Sequence, residues 1–123
     1  MTLAGNAFDP KNILEMLQPT LEALAPNLML LDLSFCDFGD GQGRSALMTA
    51  LSSLSGLTHL DLQYCDLGSQ DDEHLDQERA GRQLHGCLSL MRGLRHLDLQ
   101  FNRLGSPGIS LVGGMNHQLV DVD

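Results

Sequence analysis

The chain has 123 residues, the length of a single domain, and 42% of them are hydrophobic. Only 4% are aromatic and none is tryptophan, so a core must be built from aliphatic side chains, chiefly leucine. The formal net charge of -9 argues against nucleic acid and anionic membrane surfaces as main partners, and it favours a basic protein partner.

The first predicted element is a helix near the N-terminus. Asp9 and Pro10 have the residue types of a helix start, with aspartate as the cap and proline in the first turn. Apolar residues continue the helical pattern as far as Pro19, which is expected to break or kink the helix. We assign residues 1–27 to this helix and to an incomplete first repeat.

Three similar stretches follow along the chain. They read LMLLDLSFCDFG from Leu28, LTHLDLQYCDLG from Leu57 and LRHLDLQFNRLG from Leu94. All three obey L-x-x-L-x-L-x-x-(C/N)-x-(L/F), and an apolar stripe of helical spacing precedes each. The repeating unit is therefore predicted to be a short strand, a loop and a helix.

This unit resembles a leucine-rich repeat, and the resemblance covers nearly the whole chain from about Leu14. The 29-residue spacing from Leu28 to Leu57, and cysteine at the ninth motif position, resemble the helix-bearing, ribonuclease-inhibitor-like class. The resemblance implies an α/β fold in the form of a short right-handed solenoid. Parallel strands would line its concave face, and helices would line its convex face.

The solenoid is predicted to be one domain, 1–123, of about three to four repeats. The repeats span 28–56, 57–93 and 94–123, and HQLVDVD at the end aligns with a truncated terminal strand. One strand and one helix cannot bury a core alone, whereas stacked copies can.

An acidic insertion lengthens the second repeat, because Leu57 and Leu94 are 37 residues apart. We describe residues 69–83 as an inserted acidic loop, with a helix lengthened at its start as the alternative. Such a segment is either a solvated surface or a contact for a basic partner. Its candidate contact residues are Asp71, Asp72, Glu73, Asp76 and Glu78.

The concave face provides the other candidate binding residues. Side chains alternate along a strand, so Leu60 and Leu62 should point into the core while His59, Asp61 and Gln63 point outward. Aspartates on neighbouring strands repel one another, and such unfavourable local interactions are expected at a functional surface. The predicted partner-binding residues are Asp32, Ser34, Phe35, His59, Asp61, Gln63, Tyr64, His96, Asp98, Gln100 and Phe101.

Catalytic and metal chemistry were weighed for the same residues. Two His-Leu-Asp stretches on adjacent strands offer zinc ligands, but side chains on a flat sheet do not reach tetrahedral angles around a metal. The sequence HLDL is also common in this type of repeat, so it does not by itself indicate a metal site. GDGQGRS, from Gly39, lacks the spacing of a phosphate-binding loop and is predicted to be a turn. We predict no catalytic residue, no metal, no cofactor and no enzymatic activity.

The expected function is protein–protein interaction through the concave face, within a larger assembly. The C-terminal edge would then be covered by another chain or by further repeats. The alternative is a regulator, either inhibitor or activator, of a basic enzyme or a small GTPase. We expect no direct contact with nucleic acid or membrane.

An intracellular location is expected, with cytoplasm first and cytoskeletal or nuclear sites as alternatives. The chain has no run of about eighteen apolar residues and no signal-peptide pattern. Its three cysteines are an odd number, which disfavours a disulfide framework.

Overall fold

A computed structural model describes residues 1–38, 41–67 and 73–102 of the chain. The helical elements are α1 (Pro10–Asn12), a π-helical turn (Ile13–Leu17), α2 (Gln18–Leu24), α3 (Gly41–Leu51) and α4 (Glu73–Leu88). The strands are β1 (Leu30–Asp32), β2 (His59–Asp61) and β3 (His96–Asp98). Within the described ranges, no helix is both long enough and apolar enough to cross a membrane.

The three strands form one parallel sheet in the order β1-β2-β3. Leu31 lies opposite Leu60, and Leu60 lies opposite Leu97, so equivalent motif positions form one row. The register is the same although one repeat spacing is 29 residues and the other is 37. The extra residues therefore lie outside the strands, as the alignment of the leucines predicted.

Leucine forms the interior of the stack. Leu31, Leu60 and Leu97 are at most 2% exposed, and each strand alternates between a buried centre and more exposed neighbours. Helix α3 contacts both α2 and α4, and the buried residues of strands and helices form one hydrophobic cluster. The prediction of a short α/β stack of strand–helix units is confirmed.

The first eight residues form an additional edge beside β1. Thr2 pairs with Asp32 in a parallel bridge, and Ala7 pairs with Asp37 in the same way. The Leu3 amide donates a hydrogen bond to the Asp32 carbonyl at 2.8 Å.

This edge is the second half of a repeat motif, displaced by 30 residues from the first full copy. Leu3, Asn6 and Phe8 occupy the places of Leu33, Cys36 and Phe38, and the Phe8 and Phe38 rings stack at 5.7 Å. The predicted incomplete first repeat therefore includes an extended segment as well as the helix.

The N-terminal helix begins as predicted but does not end at its proline. Asp9 Oδ1 accepts the Asn12 amide at 2.7 Å, which is the expected cap. Pro19 lies in the first turn of α2, directly after the π-helical turn, and the helix continues to Leu24. Of the two predicted effects of Pro19, a break is not found, and a kink stays a prediction.

For the inserted acidic segment, the structure has the lengthened helix that was the alternative, and the prediction of a loop was wrong from Glu73 onward. From Glu73 onward it belongs to α4, which has 16 residues against 11 in α3, so most of 69–83 is helix rather than loop. The segment contains no proline and is rich in good helix formers, so its charge does not prevent helix formation. Three of its acidic residues, Glu73, Asp76 and Glu78, lie on this helix, and Asp71 and Asp72 lie outside the described residues.

The predicted terminal strand, HQLVDVD, also lies outside the described residues, as does the rest of the chain after Asn102. The last described repeat accordingly consists of β3 and the turn that follows it.

Candidate functional site

The outward faces of the three strands form a concave pocket of about 470 Å³. Equivalent positions of β1, β2 and β3 supply its lining, because the strands pair in register. The pocket is lined by Leu30, Leu31, Asp32, His59, Leu60, Asp61, His96, Leu97 and Asp98. We call this surface the concave pocket.

Two imidazole rings and one leucine form the first row of the concave pocket. His59 and His96 stack with their ring centroids 4.2 Å apart and their planes inclined by 18°. Thr58 Oγ1 lies 2.8 Å from His59 Nδ1, which fixes the orientation of that ring. Leu30 lies opposite His59 and is half exposed, so the row combines apolar and imidazole surface.

The three aspartates, which we call the aspartate row, have a structural role in the turn after each strand. In each repeat one carboxylate oxygen accepts the backbone amide of the residue two positions later. The bonds are Ser34 to Asp32 at 2.9 Å, Gln63 to Asp61 at 3.0 Å and Gln100 to Asp98 at 3.0 Å. Aspartate is common at the end of a strand because its side chain can close the following turn with a hydrogen bond of this kind.

The hydrogen bond also affects protonation. The Ser34 backbone amide, which hydrogen-bonds the Asp32 carboxylate, lowers the pKa of Asp32 below its ordinary value of 3.8. Asp32 is therefore ionised at neutral pH. The row is half-buried, and it is both part of the fold and a source of negative charge on the concave pocket.

One predicted contact residue is buried. Ser34 is only 7% exposed, and its carbonyl accepts the amide of Gly5 at 2.9 Å from the N-terminal edge. Gln63 and Gln100, in the same row, are half-buried. Contact between Ser34 and a partner stays a prediction.

The aromatic row consists of Phe35, Tyr64 and Phe101. Adjacent ring centroids lie 4.6 and 4.3 Å apart, with planes inclined by 12° and 9°. The rings stack on one another, yet the three residues remain 61%, 43% and 62% exposed. Stacking and exposure are both present, so the row is an apolar surface open to solvent.

The backbone of the aromatic row is unusual. Its φ values are +59°, +55° and +63°, in the left-handed region that bulky side chains rarely adopt. Such a conformation costs about 1–3 kcal/mol per residue. The equivalent residue of the N-terminal edge is Gly5, with φ of +79°, which adopts this region without strain.

The ninth motif position connects neighbouring repeats. Asn102 Oδ1 accepts the Cys65 amide at 2.9 Å, and Asn102 Nδ2 donates to the Leu62 carbonyl at 2.6 Å. In the preceding repeats the thiols of Cys65 and Cys36 donate to the carbonyls of Leu33 and Leu3. Asparagine thus makes more hydrogen bonds to the neighbouring repeat than cysteine does at the same position.

The cysteines are unpaired and lie in the interior. Cys36, Cys65 and Cys87 are all buried and free. Burial raises the pKa of the Cys65 thiol to about 12 and that of the Cys87 thiol to about 12 as well. Among the described residues, no group of three or more histidine, cysteine or acidic side chains is arranged to hold a metal ion.

A buried arginine was not predicted from the sequence. Arg44, only 4% exposed, donates from Nε to Gln83 Oε1 at 2.6 Å and from a terminal nitrogen to the Leu67 carbonyl at 2.8 Å. It therefore connects α3 to α4 and to the turn after β2. No sequence pattern predicts that Arg44 is buried, because the insertion makes it uncertain which residues Arg44 will contact.

Gly43, directly before Arg44 in the GDGQGRS stretch, has a structural role. A Cβ atom at Gly43 would collide with the backbone carbonyl of Phe38. The glycine is thus required by close packing of α3 against the turn after β1. GDGQGRS was predicted to be a turn, but its residues from Gly41 onward lie in α3, so that prediction was wrong for them, and Gly39 and Asp40 lie outside the described residues.

The family profile described as "Leucine Rich repeat" matches residues 20–48, 56–70 and 92–113, which is more than half of the chain. This chain is a leucine-rich repeat protein. Leucine-rich repeat domains generally mediate protein–protein interaction and are typically not enzymes. No curated protein and no solved structure matches this leucine-rich repeat protein. Its assignment to the ribonuclease-inhibitor-like class stays a prediction.

Proposed function

We propose that this leucine-rich repeat protein binds a protein partner through the concave pocket, as a subunit of a larger assembly. The observation that carries the proposal is the pocket itself, in which equivalent residues of three strands lie side by side, and those on either side of each central leucine are half-buried or exposed. Met29 and Leu30, 61% and 49% exposed, add apolar surface at its first strand. Mixed apolar and polar concavities of this kind suit protein recognition.

The charge of the concave pocket favours a basic partner. Three aspartates line it, and its described lining includes neither lysine nor arginine. A negative concave surface attracts a basic protein and increases its rate of association.

The test removes charge without removing the turn. Asp61→Asn with Asp98→Asn keeps an oxygen for the turn amide and deletes two negative charges. Glu15→Gln with Glu22→Gln is the matched control, because both glutamates are exposed on the N-terminal helical segment and the change in net charge is the same. Partners captured from native lysate are identified, purified and titrated by calorimetry.

We expect the concave variant to bind the purified partner about tenfold more weakly, a loss of about 1.4 kcal/mol, and the control to bind normally. Equal weakening by both variants would indicate a dependence on net charge alone and contradict the proposed site. Unchanged binding by the concave variant would place the interface elsewhere.

A regulator of a basic enzyme or small GTPase is the second candidate, and the same acidic pocket favours it. The identity of the captured partner separates the two functions. If the partner is an enzyme, its activity is measured with and without this protein, and a change that the concave variant abolishes supports regulation.

We propose an intracellular location for this interaction. Free, buried cysteines suit a reducing compartment, where disulfides are rare. Fractionation of cells expressing the tagged protein checks the compartment, and recovery in the secreted fraction would contradict it.

A further inference from the structure

We infer that the aromatic row is a stacking site for an arginine side chain of a protein partner, seated on the open face of Phe35 beside Gly5. The inference rests on the proposed function, because the ligand belongs to a protein partner. The site lies on the turns that follow the strands, next to the concave pocket.

The fold does not require aromatic residues at these positions. Phe35, Tyr64 and Phe101 hold a positive φ that glycine adopts freely, and Gly5 occupies the equivalent place in the first half repeat. All three are exposed large hydrophobic residues, with Phe35 and Phe101 about 60% exposed, so core burial does not explain them. Exposed aromatic residues on a strained backbone indicate a binding role.

One end of the aromatic row is open in the structure. Tyr64 is covered on both faces by its neighbours, whereas Phe35 stacks on Tyr64 with one face only. Gly5 is the neighbour of Phe35 on the other side, since Thr2 pairs with Asp32 and Ala7 pairs with Asp37. A Cβ placed at Gly5 meets no atom within 4 Å, so a planar group has room to continue the row.

Two acidic residues lie within three positions of Phe35 in the sequence. Asp32 precedes Phe35 by three residues and is kept ionised by its turn hydrogen bond. Asp37 follows Phe35 by two residues and is exposed. The ligand that suits a flat aromatic face with two acidic residues close to it in the sequence is planar and cationic.

Arginine meets these requirements better than lysine does. Its guanidinium is planar, stacks on aromatic faces and is weakly hydrated, whereas the lysine ammonium is a compact and strongly hydrated charge. A neutral proline or aromatic side chain would use the stacking surface but not the carboxylates.

The experiment titrates the whole chain with acetyl-arginine amide, and the ring protons of the aromatic row are followed by NMR. The chain contains one tyrosine and no tryptophan, so Tyr64 fluorescence reports independently on the centre of the row. Acetyl-lysine amide and acetyl-proline amide are the comparison ligands. We expect saturable shifts of the Phe35 ring with the arginine ligand, at least about threefold tighter than with either comparison ligand.

Two substitutions of Gly5 distinguish the effect of a ring in the open position from the effect of replacing a glycine at positive φ. Gly5→Phe places a protein ring in the open position and should abolish the shifts caused by acetyl-arginine amide. Gly5→Asn is the matched control, since asparagine tolerates positive φ and adds no ring, and it should keep them. Phe35→Leu removes the site in a second way, because it deletes the ring on which the ligand stacks and keeps Gly5.

Equal binding of arginine and lysine ligands, lost together as salt is added, would show diffuse attraction and overturn the inference. Equal binding of the proline ligand, or no shift at Phe35, would overturn it too. If the arginine ligand fails while Asp61→Asn with Asp98→Asn still weakens the native partner, only this inference falls. If the arginine ligand binds but that variant has no effect, the proposed concave interface falls instead.

Discussion

At the scale of single residues, the aspartate shared by the three repeats first serves the turn that follows each strand. Its carboxylate accepts the amide two residues later in every copy. The repulsion between neighbouring aspartates is therefore offset by a hydrogen bond to a charged acceptor, worth about 1.5–3 kcal/mol. Negative charge on the concave pocket follows from the same residues.

Asp61→Ala should lower the free energy of unfolding by about 1–2 kcal/mol, because the Gln63 amide loses its acceptor. Asp61→Asn keeps an acceptor oxygen in place and should lose less than half as much. Urea unfolding of both variants measures the difference. Equal losses would mean that the carboxylate charge, rather than the turn bond, supplies the stability.

The Cys65 thiol should make the protein sensitive to alkaline pH. Burial raises its pKa in the folded state from an ordinary value of 9.0 to about 12. A pKa raised by folding gives stability that is complete below pH 9 and is lost as the pH rises toward about 12. The buried thiol is protonated and donates to the Leu33 carbonyl, which a thiolate cannot do.

The check is the urea midpoint between pH 8 and pH 11, compared in the wild type and in Cys65→Ala. We expect a flatter decline in the variant, although it starts less stable. If the urea midpoint falls equally with pH in the two proteins, groups other than Cys65 cause the loss of stability at alkaline pH.

At the scale of elements, the leucine pattern was sufficient to predict the strands, the row Leu31–Leu60–Leu97 and the helices between them. A period of two in a strand and the repeated spacing of helical leucines both follow directly from backbone geometry. The N-terminal edge was missed because only Leu3, Asn6 and Phe8 of its motif are present, and too few matching positions remain to identify a repeat.

The candidate site was predicted less completely. Alternation along the strand predicted the outward positions, but it does not tell how far a short side chain such as Ser34 will reach. The stacking of the aromatic row depends on a positive φ at three turns, which aromatic residues alone do not predict. Arg44 finds partners 23 and 39 residues away, and such distant pairings are not encoded in local spacing.

Two glycines in different helices should respond oppositely to alanine. Gly43→Ala places a methyl group against the Phe38 carbonyl and should lower the free energy of unfolding by about 1–3 kcal/mol. Gly86, in α4, has nothing within 4 Å of an added Cβ, so Gly86→Ala should raise stability by about 0.5–1 kcal/mol. Thermal unfolding of both variants provides the comparison, and destabilisation by Gly86→Ala would contradict the packing described for α4.

At the scale of the whole molecule, the repeats are connected by polar contacts as well as by leucine. Asn102 joins the last described turn to the one before it, and Arg44 joins two helices to the turn after β2. These contacts fix the stacking order, so side chains from separate repeats meet on one surface. The concave pocket and the aromatic row both depend on that order.

Contacts between equivalent residues of different repeats, measured by NMR through nuclear Overhauser effects, test this account most directly. We predict cross-peaks between the methyl groups of Leu31 and Leu60 and between those of Leu60 and Leu97. The ring protons of Tyr64 should give cross-peaks to both Phe35 and Phe101. Their absence in a folded protein, or cross-peaks joining residues from different motif positions, would contradict the stacked register.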